Sequence, residues 1–310
     1  MSHFIVIGSI IMDIVVQTPR IPRSGENLHA RQLIPLTGGK GANAAVALTR
    51  LGARARLITN VGYDAFGQEA LATLARERVD TSAVGQTHDA GTGAAVLLVE
   101  PDGETTFVVV PGANLSLTPE QVEARWAQEA SRARALLFNF EVSEAALARA
   151  VELARAAAVP IFVDAGPARP YSAALWQHAA VLSPNQSETE ALVGYSIASD
   201  EAAQQAASEL LARGPQAVVL KLGARGALLA TATQMQFFPA FDIQAADTAG
   251  AGDAFTAGLM WARTSGWAWN KALRWANACG ALAASHLGAM PAMPTRAQVE
   301  RFLTASSGTK

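Results

Sequence analysis

The sequence predicts an α/β fold: a doubly wound, mainly parallel sheet flanked by helices, with a small β-sheet lid set beside it. Three observations carry this expectation. Short, continuous apolar runs recur along the chain; stretches of helical character separate them from about residue 36 onward; and two segments, 14–35 and 91–110, break that rhythm. A continuous apolar run suits a strand covered on both faces, and strand–helix alternation lays helices on both sides of a parallel sheet.

Taken in order, residues 4–7 read as a buried strand ending at Gly8, and further strands are expected at 56–59, 135–138, 161–163, 181–182 and 217–220. Helices are expected at 42–51, 67–77, 144–157 and 201–212, and the last third is helical at 250–263, 270–286 and 296–303. Segment 14–35 holds several prolines and the polar run Arg20-Ile-Pro-Arg-Ser-Gly-Glu-Asn27. Segment 91–110 reads as two strands, 93–100 and 105–110, joined by Pro101-Asp-Gly103, where a glycine supplies the positive φ of a hairpin turn. Both segments are read as strands of a small β-layer, a lid carrying substrate contacts; two surface hairpins are the plainer alternative.

At 310 residues the chain suits one large domain spanning 1–310, and a half-apolar composition with 16% charged residues reads as compact and soluble. With 24 basic and 26 acidic residues, a net charge of −2 and no basic run, nothing points to nucleic acid. The lone Cys279 excludes an internal disulfide and a multi-cysteine metal site, and its small-residue helical surroundings suit a buried, inert thiol. The apolar N-terminal run is too short to span a membrane and lacks the pattern of a signal peptide, so a cytoplasmic location without membrane association is expected.

Two glycine-rich stretches could carry chemistry. In Ala245-Ala-Asp-Thr-Ala-Gly-Ala-Gly-Asp-Ala-Phe-Thr-Ala-Gly258, good helix follows Gly250-Ala251-Gly252, so those small residues sit at a helix N-terminus with unpaired N–H groups. A phosphate can approach such a backbone closely. Asp253 beside it either stabilises its own helix or takes a proton from a hydroxyl attacking a phosphorus held over the glycines. The second stretch, Thr37-Gly-Gly-Lys-Gly-Ala-Asn43, is neither a Walker A loop nor a dinucleotide fingerprint. Gly38, Gly39 and Gly41 admit a polyol, with Lys40 and Asn43 as hydrogen-bonding groups, or the stretch is simply a loop before a helix. Asp13 follows the first strand, at the end where open α/β sheets bind ligands; alone it is equally a turn-forming residue.

Gly38-Gly-Lys-Gly-Ala-Asn43 with Gly52 and Gly62 resembles the first signature of the ribokinase family, the PfkB-type carbohydrate kinases, and Asp247-Thr-Ala-Gly-Ala-Gly-Asp253 with Ala257-Gly258 resembles its second. Ile7-Gly-Ser-Ile10, Pro111-Gly-Ala-Asn114, Asn139-Phe-Glu141, Pro184-Asn-Gln-Ser-Glu188 and Leu222-Gly-Ala-Arg-Gly226 follow in family order over nearly the whole chain. The resemblance implies a ribokinase-like fold and ATP-dependent phosphorylation of a primary hydroxyl on a pentose-like sugar, ribose by default. It implies Asp253 as general base and the backbone of Gly250, Ala251 and Gly252 as anion hole. Asp13, Gly39, Lys40, Asn43 and Glu141 match sugar-holding positions, with Glu141 at the anomeric end. Asn185, Lys221, Gly223, Gly226, Gly252 and Asn277 match the ATP site. Glu188 matches a Mg²⁺ partner acting through water. Asp247, Ala249, Ala283, His286 and Gly288 match a monovalent-cation site, which implies K⁺ activation. The family also implies a homodimer through the lid, here helped by Val96, Leu98, Phe107 and Val109 on alternating apolar faces.

Three positions depart from the family's pattern. Ile11 stands where ribose kinases carry an asparagine, which favours a sugar lacking a hydroxyl there or a differently seated one, the plainer alternative being that water or backbone satisfies ribose at that point. Lys221 replaces a smaller hydroxyl residue, a cation that could favour nucleotide phosphates. Ala292 stands where a serine can serve the cation site, which puts K⁺ dependence in doubt. Within the family the alternatives are a deoxyribokinase, a ketohexose kinase or a nucleoside kinase, the last disfavoured by Glu141. A sugar-binding regulatory relative would carry a broken second signature. A dinucleotide-dependent dehydrogenase would carry a glycine fingerprint after the first strand, which is lacking.

Overall fold

The computed structural model describes residues 3–101, 105–128 and 131–306, and among them it builds a nine-stranded sheet and a separate four-stranded sheet. The chain enters with β1 (His3–Ile7), crosses to β2 (Ile11–Gln17) and β3 (Gln32–Gly38), and turns into α1 (Lys40–Arg50). β4 (Arg54–Gly62), α2 (Ala65–Arg76) and β5 (Val84–Thr87) follow, then β6 (Gly93–Val99) and β7 (Thr105–Val110). The middle of the chain alternates α3 (Pro119–Ala127), β8 (Ala133–Phe138), α4 (Glu144–Ala156), β9 (Ile161–Asp164), β10 (Val181–Ser183), α5 (Gln186–Val193), α6 (Asp200–Ala212) and β11 (Ala217–Lys221). β12 (Ala227–Thr231) and β13 (Met235–Phe238) precede the closing helices α7 (Ala251–Thr264), α8 (Trp269–Ala284) and α9 (Arg296–Ala305).

The large sheet runs β13-β12-β11-β10-β9-β8-β1-β4-β5, parallel from β11 through β5, with β12 and β13 antiparallel at one edge. The apolar runs of the central strands split by alternation. Val6, Leu137, Phe162 and Val219 pack against α1, α7 and α8 on one face, while Ile7, Phe138, Val163 and Leu220 pack against α3, α4 and α6 on the other. Helix starts are mostly fixed by side chains: Asp64, Thr118, Ser143, Asn185, Ser199 and Thr295 each cap the helix that follows. Cys279 is buried beneath α7, and burial pushes its thiol well above the usual range, as expected for an inert thiol.

The small sheet runs β3-β2-β6-β7, with β2 parallel to β6 and the outer pairs antiparallel. Its limits differ from the sequence reading at the first segment. Strand pairing begins at Ile11 and ends at Gly38, and residues 18–31 between the two strands contain none. The prolines and polar run belong to that intervening loop, while the strands flank it. The second segment is paired as expected, with the turn residues Asp102 and Gly103 outside the described residues. Exposure there does not alternate. Leu98 is half-buried, whereas Phe107, Val108, Val109 and Val110 are all more than half exposed, because β7 is an edge strand covered on neither face.

Candidate active site

Because β1, β4 and β8 to β11 are parallel, their carboxyl ends lie along one edge of the sheet, where open α/β folds place ligands. Two helices that point their N-termini at this edge start on glycines in the left-handed region without a side-chain cap: α1 on Gly39 at φ 93° and α7 on Gly250 at φ 75°. Two of the first-turn N–H groups of α1 are taken up locally, Lys40 donating to Glu141 Oε2 at 3.2 Å and Ala42 to the Ser9 carbonyl at 3.0 Å. In α7 the Ala251 N–H donates to the Thr248 carbonyl at 3.3 Å, but the next two donors are free. The N–H groups of Gly252 and Asp253 find no acceptor among the described residues, and Gly250, Ala251 and Gly252 are open to solvent in part. Unpaired donors at the positive end of a fourteen-residue helix form a cradle for an anion.

Asp253 stands in the first turn of α7 at 4% exposure. Its Oδ2 accepts a hydrogen bond from Asn43 Nδ2 at 2.8 Å, and its Oδ1 lies 3.8 Å from Lys40 Nζ. Burial pushes its carboxyl up to about 6; Lys40 and the Asn43 hydrogen bond resist this, and the charges of Asp164 and Glu141 add to it. The Asn43 Oδ1 atom is buried with no partner, an acceptor left for a ligand's hydroxyl. Asp13 projects from β2 over Gly38, where any Cβ would overlap its Oδ2. Burial, with Glu141 and Asp253 nearby, raises its carboxyl to about 7. Glu141 also accepts from the Ser9 hydroxyl. Ile11 is buried two residues before Asp13, hence on the same face of β2, with its Cδ1 against Gly93. The structure therefore brings Asp13, Gly39, Lys40, Asn43, Glu141 and Asp253 together, as the sequence reading expects, with Ile11 at their margin.

On the other side of the cradle, Lys221 is buried at the end of β11 and its Nζ lies 2.9 Å from Asp164 Oδ1 and 3.9 Å from Glu188 Oε2. The sequence reading treats Lys221 as a cation available to phosphates; the structure balances it with Asp164. Asn185 and Glu188 form a reciprocal capping box on α5, Asn185 N–H donating to Glu188 Oε2 at 2.7 Å and Glu188 N–H to Asn185 Oδ1 at 2.9 Å. Burial raises the Glu188 carboxyl, with Lys221 opposing. Gly223 and Gly226 adopt φ of 58° and 93° in the loop after β11, and Asn277 Nδ2 donates to the carbonyls of Phe238 and Pro239. Lys221 pairs with Asn185 across a β-bridge, and Gly226 and Asn277 both lie against the Phe238–Pro239 backbone.

Asp247 has partners of its own, distinct from those of Asp253. Its Oδ1 accepts from the Ala249 N–H at 2.9 Å and its Oδ2 from the Gly288 N–H at 3.0 Å, which ties the loop before α7 to the loop after α8. The Ala283 carbonyl accepts from the His286 N–H, while the carbonyls of Ala249, His286 and Gly288 accept no hydrogen bond among the described residues. Two recesses elsewhere, about 410 Å³ at the amino ends of β9 to β11 and about 610 Å³ between β3, α2 and Met290, do not contain Asp253.

Three residues of the site escape the sequence reading: Ser9, Asp164 and Thr256. Asp164 is a buried carboxylate that bonds both Lys221 Nζ and the Thr256 hydroxyl at 2.9 Å. The signal for it is an acidic residue at the end of an apolar run, the carboxyl end of a buried strand.

A family profile described as pfkB family carbohydrate kinase matches residues 1–296. The ribokinase of Mus musculus is 35% identical over 258 residues, covering 82% of this chain and 80% of that protein. The ribokinase of Haemophilus influenzae is 32% identical over 298 residues, covering 96% and 97%. The solved structure of Arabidopsis thaliana ribokinase complexed with ribose and ATP superimposes with a TM-score of 0.90 at 29% identity, covering 98% of this chain and 99% of that one.

Proposed function

The chain belongs to the pfkB family of carbohydrate kinases and is an ATP-dependent sugar kinase, and from that premise we propose that it phosphorylates the primary hydroxyl of ribose with Asp253 as general base. The observation that carries the reading is the pairing of a buried, proton-accepting carboxylate with an uncapped helix N-terminus in the same turn of α7. The sugar is held by Asp13, Gly39, Lys40, Asn43 and Glu141, and its primary hydroxyl meets Asp253. As the hydroxyl oxygen bonds to the γ-phosphorus of ATP, its proton passes to Asp253. The bond from that phosphorus to the β–γ bridging oxygen breaks, and ADP leaves with the electron pair. The backbone of Gly250, Ala251 and Gly252 faces the transferring group, with the Gly252 N–H free to donate, where donors fixed in advance are worth most.

ATP lies along Asn185, Lys221, Gly223, Gly226 and Asn277. Glu188 suits a partner role toward hydrated Mg²⁺, since its Oε1 accepts no hydrogen bond among the described residues while Oε2 is held by Asn185. Mg²⁺ would neutralise phosphate charge there, held mainly by the nucleotide and water, as its preference for a hydration shell allows. Asp247 with the carbonyls of Ala249, Ala283, His286 and Gly288 suits K⁺, with Ala249, His286 and Gly288 offering free carbonyl oxygens beside the cradle. A cytoplasmic enzyme fits ATP as co-substrate.

The base must be ionised to act, so kcat/KM falls on the acid side with a midpoint near 6, the value to which burial brings Asp253. Lys40 holds that carboxyl down, so Lys40→Met moves the midpoint to higher pH. A pH–rate profile checks both; an acid limb that stays in place in Lys40→Met contradicts the assignment. Ile11→Asn supplies a hydrogen-bonding group where the native side chain has none. It raises the preference for ribose over 2-deoxyribose about tenfold, within the range of about 1–3 kcal/mol for pairing a buried hydroxyl. Equal kcat/KM ratios in the two proteins would show that Ile11 does not face the sugar.

The small sheet is the lid of this site and the contact of a homodimer. Phe107, Val108, Val109 and Val110 leave apolar side chains on both faces of the edge strand β7, with Val96 of β6 opposite Val108, and a second copy would cover them. Light scattering at micromolar concentration gives the dimer mass, and a monomer there rules out the contact.

A further inference from the structure

We propose that Asp164 is a positioning residue for phosphoryl transfer: it holds the Lys221 ammonium against the Gly252 end of the α7 cradle, where that charge meets the transferring group. The inference rests on the kinase reading above and adds a residue that reading does not use. β9, β10 and β11 are adjacent parallel strands, and Asp164 and Lys221 each end theirs on the face packed against α7. Asp164 spans two elements: Oδ1 takes the Lys221 ammonium at 2.9 Å and Oδ2 takes the Thr256 hydroxyl at 2.9 Å. Thr256 is one turn beyond Gly252, and its hydroxyl also lies 3.0 Å from the Gly252 carbonyl. Lys221 Nζ lies 3.4 Å from where a Cβ on Gly252 would stand. The ammonium therefore lies beside Gly252, whose lack of a side chain leaves its approach to the cradle open.

A lysine stem is flexible and its ammonium is a point charge, so position must come from its partners. Without Asp164 the nearest carboxylate is Glu188 at 3.9 Å, which would draw the charge off the cradle and toward the start of α5. Burial opposes ionisation of Asp164, but Lys221 and Lys40 outweigh it and hold the carboxyl below the usual range, so the clamp stays charged. When the sugar oxygen bonds to the γ-phosphorus and the bond to the bridging oxygen breaks, the non-bridging oxygens over Gly252 face a cation already in place.

The test is a double-mutant cycle read in kcat and in sugar KM. Asp164→Asn and Lys221→Met each lower kcat about 10²-fold with sugar KM within about twofold. The double variant is no slower than Lys221→Met alone, because Asp164 acts through Lys221. Effects that multiply, or losses confined to sugar KM, overturn the proposal. Should Asp164→Asn not fold, Asp164→Glu keeps the charge and lengthens the arm. It lowers kcat about tenfold in the native background and not in Lys221→Met, and a loss in both overturns the proposal. Nucleotide binding separates this inference from the kinase reading. If no sugar elicits ADP release from the native protein, the kinase reading fails. The inference still requires the native protein to prefer a non-hydrolysable ATP analogue over ADP, and Lys221→Met and Asp164→Asn to lose that preference; a preference that survives overturns it.

Discussion

Asp253→Asn lowers kcat about 10³- to 10⁴-fold and leaves sugar affinity within about threefold, the range expected when a positioned base is lost and its shape is kept. The side chain is buried and bonded to Asn43, so an amide of the same size fills the site without a cavity. An amide also tolerates burial better than the carboxylate, which burial already pushes toward its neutral form. What the variant lacks is the ability to take the sugar's proton. Isothermal titration with sugar and a non-hydrolysable ATP analogue, beside a coupled ADP-release assay, separates binding from chemistry. Activity within tenfold of the native protein would remove Asp253 from the mechanism.

Gly250→Val lowers kcat about 10²- to 10³-fold, the cost of disturbing a fixed donor at a developing anion. Gly250 adopts φ 75° in the left-handed region, which a β-branched residue resists. A Cβ there would also stand 2.9 Å from the Met293 methyl and 3.0 Å from Ala289. The first turn of α7 must shift, and the N–H groups of Gly250 to Gly252 shift with it. Gly266 is the control: it shares the left-handed backbone at φ 82°, but no atom lies within 4 Å of its added Cβ and it lies at the far end of α7. Gly266→Val therefore loses stability and keeps kcat within about threefold. Equal kcat losses in the two variants would mean that backbone strain, and not the cradle, sets the rate.

Much of this site is legible in the chain because its chemistry needs residues that also punctuate local structure. Gly39 and Gly250 announce helix starts, and Asp253 and Lys40 stand beside them in sequence, so local reading reaches the two helix termini that meet across the sheet. Asp164 is different. It meets Lys221 across 57 residues, and a carboxylate after Phe162-Val163 reads as an ordinary strand end until β9 and β11 flank β10. Lys221 is legible as a cation but not as a paired one, for the same reason. The limits of the small sheet are not legible locally because β2 and β3 are held by pairing with each other and with β6. Asn185 and Glu188 are visible as a motif, yet only the structure shows that they cap α5 on each other's backbone.

The most direct measurement is ADP release by the native protein across ribose, 2-deoxyribose, fructose, tagatose phosphates and nucleosides, with and without K⁺, with the product located by phosphorus NMR. Turnover with ribose is expected, with phosphate on the primary hydroxyl and loss of that product in Asp253→Asn. Turnover with none of these sugars, or ribose phosphorylation that persists in Asp253→Asn, would contradict this expectation.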